Sequence, residues 1–420
     1  MTSNALKINV NSEIGKLNAV ILHTPGAEIQ NMTPENAERA LYSDILNLHV
    51  AQNEYKQLSG VLEKVTKTYQ VRELLEDILK NNRVKETLIE KICKNENVSF
   101  QKCALDELDN KELARQLIEG VLLKKETLSD FLSKKRYLLQ PLHNFFFTRD
   151  AAISINEKVL IARMANNVRE RESMIMQAIF DFHPAFSTTT INPIEDRFFS
   201  ENIKIEGGDI LVAREDVLLI GIGSRTTSQG VDFILRRLKE KKMNMSIIVQ
   251  ELPLSPESFI HLDMVFTFLD KNKCMIYEPI ITRPNKYQTV LISVDNGKVK
   301  ISEKTNLLTA TKELGFDLEP IYCGGTEDSW IQQREQWHSG ANFFAFAPGK
   351  VIGYERNVYT IEALSKHGFE VLKAEEIIND KVHPDNYDKC VVTIAGSELS
   401  RGGGGARCMT MPINRENIEW

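Results

Sequence analysis

Two segments of this 420-residue chain decide its fold: residues 159–179, VLIARMANNVRERESMIMQAI, and residues 217–238, VLLIGIGSRTTSQGVDFILRRL. Each begins with a short apolar run typical of a strand, continues into a polar turn and ends in an amphipathic pattern typical of a helix. They start about 58 residues apart, and residues 350–372, KVIGYERNVYTIEALSKHGFEVL, repeat the order. The repeat predicts an α/β protein and favours a closed ring of modules over an open sheet of unrelated βα units.

The interval from residue 73 to residue 135 has a different character, with no proline and a single glycine, Gly120. Apolar residues recur in it at helical spacing: Leu74, Leu75, Ile78 and Leu79, and later Leu117, Ile118, Val121 and Leu122. We therefore predict a bundle of several helices at 73–135. It would be inserted into a catalytic α/β domain formed by residues 1–72 and 136–420.

Composition excludes several classes of partner. The formal charge of -6 and the pI near 5.9 provide no basic footprint for nucleic acid or for a membrane surface. No apolar run reaches the roughly 18 residues of a membrane span, and the first residues lack a signal-peptide pattern, so we expect a cytoplasmic protein. The six cysteines are scattered without metal-ligand spacing: Cys93, Cys103, Cys274, Cys323, Cys390 and Cys408.

The segment at residues 396–412, GSELSRGGGGARCMTMP, is the most informative for chemistry. Four consecutive glycines let backbone pass close to a ligand. Arg401 and Arg407 would lower the pKa of the Cys408 thiol towards a reactive thiolate. The alternative is a flexible turn ahead of a buried structural cysteine.

Three further motifs carry carboxylates or an imidazole. In an extended segment His261 and Asp263 would share a face while Leu262 packs behind; a satisfied histidine at a strand edge is the alternative. The motif EGGD at residues 206–209 predicts a tight turn that could bring a carboxylate beside an imidazole. The run NFFFTRD at residues 144–150 is an aromatic anchor with polar ends, or else a core strand ending in a surface ion pair.

Taken in order along almost the whole chain, these motifs closely resemble the arginine deiminase family. The resemblance starts with SEIGKLNAVILHTPGAEIQNMTPEN at residues 12–36 and ends with the glycine-rich segment at residues 396–412. It implies the pentein fold, a fivefold pseudosymmetric α/β propeller. The stretch at 73–135 corresponds to the helical insertion that separates arginine deiminases from smaller relatives.

The resemblance also implies a reaction: hydrolysis of free L-arginine to L-citrulline and ammonia through a covalent amidino-cysteine intermediate. Cys408 would be the nucleophile and His261 the general acid and base, oriented by Glu206. Asp150 and Asp263 would hold the substrate guanidinium.

Four further residues would bind the amino-acid end of the substrate. Arg169 and Arg225 would meet its α-carboxylate, and Asn144 and the backbone of Gly402 match further contact positions. For Arg169 the alternative is a helix-face arginine paired with Glu172.

The chemistry of a guanidinium suits this set of residues. The planar cation needs carboxylates for paired hydrogen bonds, and its delocalised charge makes its carbon a poor electrophile that a thiolate attacks better than water. A histidine must protonate the leaving ammonia and then activate water. This scheme needs no metal and no cofactor.

The chain departs from the family pattern at three positions, where His143, Ala151 and Ala406 replace usual prolines. These changes loosen the backbone but leave the reacting groups in place. We expect effects on rate and loop mobility, not on the type of reaction.

Other activities on the same scaffold are the main rivals: a dimethylarginine hydrolase, an agmatine deiminase or an amidinotransferase. Two carboxylate-binding arginines argue against agmatine, which would leave them unpaired. A catalytically silent arginine-binding protein is a rival of another class. L-arginine is the expected small-molecule partner, and a homo-oligomer, dimer or tetramer, is the expected assembly.

Overall fold

The computed structural model describes residues 5–33, 42, 44–98 and 105–420. Within these ranges, five sheets share one topology: a first strand pairs antiparallel with a second, and the second pairs parallel with a third. A parallel pair needs a long crossover, so a helical crossover joins the second and third strands of each module. In four modules the first two strands form a hairpin, and in the remaining one they come from the two ends of the chain. This agrees with the predicted repeat of strand–turn–helix modules and extends it from three segments to five.

We number the modules from the one that joins both ends of the chain, and each set below gives first, second and third strands. Module one has Met411–Arg415, Leu17–Leu22 and Lys67–Gln70; module two has Ala152–Ile155, Lys158–Ile161 and Thr189–Ile191; module three has Ile210–Arg214, Val217–Ile222 and Met245–Glu251; module four has Phe266–Asp270, Lys273–Ile276 and Glu319–Tyr322; module five has Phe344–Ala347, Lys350–Tyr354 and Cys390–Ile394.

The remaining strands extend or flank these sheets. They are Thr289–Asp295 and Lys298–Lys304 at the edge of module three, Glu370–Lys373 at the edge of module five, and the two pairs Leu6–Lys7 with Phe186–Ser187 and Val121–Leu122 with Tyr137–Leu139.

Amphipathic helices connect the second and third strands. In Ser228–Glu240, the side chain of Thr227 caps the free N–H of Gly230, and Val231, Ile234 and Leu238 are buried on one face. The helices outside the 73–135 interval are Ala27–Gln30, Leu48–Val65, Thr148–Ala151, Glu170–Phe182, Ser228–Glu240, Glu278–Ile281, Leu307–Glu313, Ser329–Trp337, Val358–Lys366 and Ala374–Ile378.

The interval predicted as a helical bundle contains helices that lie between modules one and two in the chain: Val71–Leu79, Asn82–Asn95, Asn110–Glu119 and Leu128–Leu132. The prediction was wrong for Val121 and Leu122, which form a strand. The cause is Gly120, which has φ 96 and ends the preceding helix. Cys103 lies outside the described residues.

The inserted helices share a hydrophobic core with module one and module two. Leu75, Ile89 and Leu117 belong to the same buried cluster as Ile21 and Ile175. The insertion is therefore packed against the α/β part through apolar contacts, which stabilise both. In the described part of the chain, no helix is both long enough and apolar enough to cross a bilayer.

Candidate active site

The predicted catalytic residues lie just ahead of the first strand of successive modules. Cys408 precedes module one, Asp150 module two, Glu206 module three, and His261 and Asp263 module four. All five side chains are buried. Equivalent points of the repeat thus supply polar groups to the interior, where apolar side chains would be the usual occupants.

Cys408 lies in a polar pocket below the surface. Its Sγ is 3.7 Å from Asp263 Oδ2 and 3.2 Å from the side-chain nitrogen of Asn342, and its carbonyl accepts from the Arg149 N–H at 3.1 Å. Burial, followed by the charges of Asp263 and Asp150, holds the pKa of the Cys408 thiol well above its ordinary value.

Arg407 lowers the pKa of the Cys408 thiol, as predicted, but burial and the charges of Asp263 and Asp150 outweigh it, so the predicted net lowering is wrong for the substrate-free site. The Arg407 guanidinium is paired with Glu13 and Asp263. Arg401 is half-exposed and paired with Asp44 and Glu398. Both arginines are therefore paired with carboxylates.

His261 is held between two carboxylates. Its Nε2 lies 2.9 Å from Glu206 Oε2, and its Nδ1 lies 3.7 Å from Asp150 Oδ1. A Cβ at Gly208 would lie 2.4 Å from His261 Nδ1, so the EGGD motif needs a glycine there. Burial lowers the pKa of His261, but the surrounding carboxylates outweigh burial and raise that pKa to about 9.

The local geometry around His261 differs from the prediction. His261 itself is extended, but Leu262–Met264 forms a 3-10 turn rather than a strand. Asp209 favours this turn, since its Oδ1 accepts the N–H of Leu262 at 3.0 Å. His261 and Asp263 both reach the site, although not by the predicted alternation of a strand. The NFFFTRD run ends in the short helix Thr148–Ala151, so the alternative of a core strand for this run is wrong.

Each of the two aspartates is tied to a buried arginine through one oxygen. Asp150 Oδ2 accepts from Arg169 Nη1 at 2.8 Å, and Asp263 Oδ2 accepts from Arg407 Nη1 at 2.7 Å. Asp150 Oδ1 has no hydrogen-bond partner among the described residues. Asp150 Oδ1 is thus left to accept a hydrogen bond from a bound cation, whereas Asp263 Oδ1 lies 3.9 Å from Cys408 Sγ.

A cavity of about 220 Å³ contains two of the predicted substrate-binding residues, Arg225 and Gly402. It is also lined by Asp44, Glu257, Ser258, Ile260, Met264, Trp337, His338, Ser400, Arg401 and Gly403. Arg225 Nη1 lies 3.9 Å from Oε1 of Glu206, the carboxylate that contacts His261. The position of Arg225 in the cavity wall suits an arginine that binds the polar end of a ligand.

Arg169 and Asn144 lie deeper. Arg169 donates to Glu172 from Nε at 3.1 Å and from Nη2 at 2.8 Å, and its Nη2 also lies 3.3 Å from the Asn144 carbonyl. The pair with Glu172, which was the alternative for this arginine, is therefore present. A contact of Arg169 with a substrate carboxylate stays a prediction.

Comparison with known proteins identifies the family. The family model described as arginine deiminase matches residues 38–415. The chain belongs to the arginine deiminase family. Arginine deiminases of Oenococcus oeni and Bacillus cereus are each 33% identical to it, over 98% of this chain and 98% and 99% of theirs, and that of Listeria monocytogenes is 32% identical. The predicted resemblance to this family, and the prediction of an enzyme of this family, are confirmed.

Solved structures support the fold only, because their sequence identity is low. An amidinotransferase of saxitoxin biosynthesis from Microseira wollei has a TM-score of 0.53 at 12% identity and covers 98% of both chains. The N-terminal domain of a cyanobacterial arginine dihydrolase, bound to product, has a TM-score of 0.52 at 13% identity, over 94% of this chain and 97% of that one. The predicted mixed α/β fold is thereby confirmed.

Sequence reasoning about this arginine deiminase family member missed three buried polar groups. Asn342 contacts Cys408, Glu13 holds Arg407, and Asp209 fixes the turn after His261. Asp209 lies in the EGGD motif, which could have indicated it. Glu13 lies in the segment at residues 12–36 that carries the family resemblance, which could have indicated it, whereas no motif quoted from the sequence contains Asn342.

The His261–Glu206 pair predicts a pH window of stability. Glu206 has its pKa lowered from 4.5 to about 2, since the charges of Arg225 and His261 outweigh burial, so its contribution is lost as pH falls from 4.5 towards 2. His261 has its pKa raised from 6.5 to about 9, so its contribution is complete below pH 6.5 and is lost as pH rises through 9. We expect thermal stability to fall on both sides of this window.

Melting temperatures measured between pH 3 and 10 check this, with His261→Gln as the comparison. In that variant the melting temperature should fall less at alkaline pH, because the loss of the His261 proton no longer contributes. Identical alkaline declines in the two proteins would contradict the assignment of the raised pKa to His261.

Proposed function

We propose that this chain hydrolyses the guanidinium of free L-arginine to L-citrulline and ammonia through a covalent amidino intermediate on Cys408. One observation carries the proposal: a buried thiol 3.7 Å from Asp263 shares its site with a histidine held between Asp150 and Glu206. Membership of the arginine deiminase family supports it.

Substrate binding changes the charge of the site. A guanidinium cation that donates hydrogen bonds to Asp150 and Asp263 would offset the two negative charges that raise the pKa of the Cys408 thiol. The thiol then loses its proton to solvent more readily, and the thiolate attacks the guanidinium carbon. The Cys408 thiolate would therefore form only when the guanidinium carbon is already bound beside it.

The first half-reaction expels ammonia. Sγ bonds to the guanidinium carbon, one terminal C–N bond breaks, and protonated His261 gives its proton to the departing nitrogen. The raised pKa of His261 keeps it protonated near neutral pH in the substrate-free site.

The second half-reaction hydrolyses the intermediate. Neutral His261 takes one proton from water as the oxygen attacks the amidino carbon. The C–Sγ bond then breaks, the remaining hydroxyl proton passes to solvent, and citrulline and the Cys408 thiolate are released. Glu206, at 2.9 Å from Nε2, holds the ring and supports its protonated form in both steps.

The direct test is incubation of the purified protein with L-arginine, agmatine or dimethylarginine, with citrulline and ammonia measured. Equimolar citrulline and ammonia from arginine, with at most slow turnover of agmatine and dimethylarginine, is the expected result. Faster turnover of another guanidine would retain the cysteine chemistry and reassign the substrate. No product from any of them would favour the silent binding protein.

Arg225 is expected to set the preference for a substrate with an α-carboxylate. Loss of a charged hydrogen bond costs about 1.5–3 kcal/mol, so Arg225→Gln should lower kcat/KM for arginine about 10- to 100-fold. Agmatine has no carboxylate to lose, so its slow turnover should change much less. Arg401→Gln, at an arginine of the same cavity paired with Asp44 and Glu398, is the matched control. Equal losses on both substrates would remove Arg225 from carboxylate binding.

The reaction is expected to need no metal or cofactor. Asp150, Glu206 and His261 do place ligand atoms within 4.8 Å of one another, so a divalent ion could fit among them. Such an ion would take the lone pair that His261 needs as a base, and should inhibit. Full activity after EDTA treatment, with inhibition by added Zn²⁺, is the expected outcome. Activity lost to EDTA and restored by one metal would contradict it.

The finer architectural predictions also stay proposals. Five sheets of one topology support a fivefold pseudosymmetric propeller, with residues 73–135 as an insertion between modules one and two. A crystal structure would test both, by the rotation that relates successive modules. The proposed dimer or tetramer is tested by light scattering after size-exclusion chromatography, and the cytoplasmic location by cell fractionation.

A further inference from the structure

Module five also supplies a buried polar residue at the point where the other modules supply the predicted catalytic groups. Its first strand is Phe344–Ala347, and Asn342 lies two residues ahead of it. Asp150 lies two residues ahead of the first strand of module two. Asn342 is 1% exposed. By its place in the repeat, Asn342 is the contribution of module five to the same site.

The side chain of Asn342 is fully engaged around Cys408. Its nitrogen donates to Cys408 Sγ at 3.2 Å and to the Asp263 carbonyl at 3.1 Å. Its oxygen accepts from the backbone N–H of Arg407 at 3.0 Å and of Cys408 at 3.3 Å. Backbone N–H groups can only donate, so they fix the amide orientation: the oxygen faces them and the NH₂ faces the sulfur.

We propose that Asn342 is a further catalytic residue, whose amide donates a hydrogen bond to the Cys408 thiolate and keeps its sulfur directed at the substrate carbon. The inference rests on the proposed function, in which Cys408 is the nucleophile. It assigns to module five a part in the reaction that the four other modules do not supply.

The chemistry explains why a neutral donor suits this position. Asp263 and Asp150 surround the sulfur with negative charge, which disfavours a thiolate. A lysine or arginine beside the sulfur would stabilise the thiolate but repel a guanidinium substrate. An amide N–H stabilises the anion without adding a net positive charge.

The surrounding backbone is built to admit this side chain. A Cβ at Gly405 would lie 2.7 Å from both Cβ and Oδ1 of Asn342, so the glycine-rich segment leaves space for the amide. Thr267 Oγ1 donates to the Ala341 carbonyl at 2.7 Å and holds the loop from the other side. The approach of Asn342 to Cys408 is thus fixed by both neighbouring modules.

The test measures the pH dependence of Cys408 alkylation by iodoacetamide, with the Cys408 peptide quantified by mass spectrometry. A hydrogen bond to a charged group is worth one to two pKa units, so Asn342→Ala should raise the midpoint by about that amount and slow alkylation about 10- to 100-fold below it. Asn342→Asp keeps the acceptor for the two backbone N–H groups but adds a like charge. It should raise the midpoint further.

The matched control is Asn357→Ala. Asn357 is a second buried asparagine of module five, which donates to the His338 carbonyl at 3.1 Å. Its loss should leave the alkylation midpoint at the wild-type value. If Asn342 had a purely structural role, Asn342→Ala would lower the melting temperature of the protein without shifting the pH midpoint of Cys408 alkylation. A folded Asn342→Ala protein with the wild-type midpoint therefore overturns the proposal.

Should both Asn342 variants fail to fold, the wild-type protein provides a second measurement. In ¹⁵N NMR spectra, the side-chain NH₂ signals of one amide should shift with pH at the midpoint of Cys408 alkylation, and they should not shift in Cys408→Ala. The absence of such a pair of signals overturns the proposal. The alkylation test does not depend on turnover. Shifted midpoints in a protein that forms no citrulline would refute the proposed function alone, and unshifted midpoints in an active enzyme would refute the role of Asn342 alone.

Discussion

Cys408→Ser is expected to abolish citrulline formation while the fold remains intact. Removal of a nucleophile from a catalytic unit lowers kcat by about 10⁴-fold or more, and a serine hydroxyl is a much weaker nucleophile than a thiolate at neutral pH. The fold should persist, because a serine hydroxyl can still accept the hydrogen bond that Asn342 directs at Cys408 Sγ. Turnover of arginine, together with circular dichroism, measures both effects.

Chemical modification checks the same assignment independently. Iodoacetamide should inactivate the enzyme by labelling Cys408, and arginine should protect it. Cys274 and Cys323 are buried in an apolar core cluster and lack the amide donor that Asn342 directs at Cys408, so these cysteines should react slowly. Cys390→Ala, at a buried cysteine of module five, serves as the control and should retain turnover. Inactivation that follows labelling of Cys274 or Cys323 would overturn the assignment of the nucleophile.

Asp263→Asn is expected to have the second-largest effect, on both activity and stability. The variant loses a charged partner for the substrate guanidinium, which should lower kcat/KM about 10²- to 10³-fold, equivalent to about 3–4 kcal/mol. It also leaves the buried Arg407 with one carboxylate instead of two, and breaking a buried pair costs about 3–5 kcal/mol. Steady-state kinetics and urea unfolding measure the two losses separately.

Glu13→Gln separates the two roles of Asp263. Glu13 accepts from Arg407 Nε at 3.0 Å, so its loss removes the other carboxylate from the same guanidinium. Both variants should lose comparable stability, but only Asp263→Asn should lose most of its turnover. Equal losses of activity would mean that Asp263 acts by holding Arg407, and an unchanged rate in Asp263→Asn would remove it from the site.

The strands and helices of the repeat follow from local pattern. The apolar run at residues 217–222 predicts the observed strand Val217–Ile222, and the amphipathic pattern after it predicts Ser228–Glu240. Such elements can be recognised in the sequence because the periodicity that buries one face is local. The turn at Leu262–Met264 could not be recognised in this way. Its backbone is set by the carboxylate of Asp209, which is 53 positions away in the chain.

The sequence by itself determined the family of this protein and the types of reacting group, since a thiol, an imidazole and carboxylates in a recognisable order carry that information. Only the tertiary structure decided how their charges are balanced. It shows that Arg401 and Arg407 are paired with carboxylates, and that Asn342, 66 positions from Cys408, contacts its sulfur. The physical reason is distance: electrostatic interactions and hydrogen bonds depend on separation in space, which chain neighbours do not reveal.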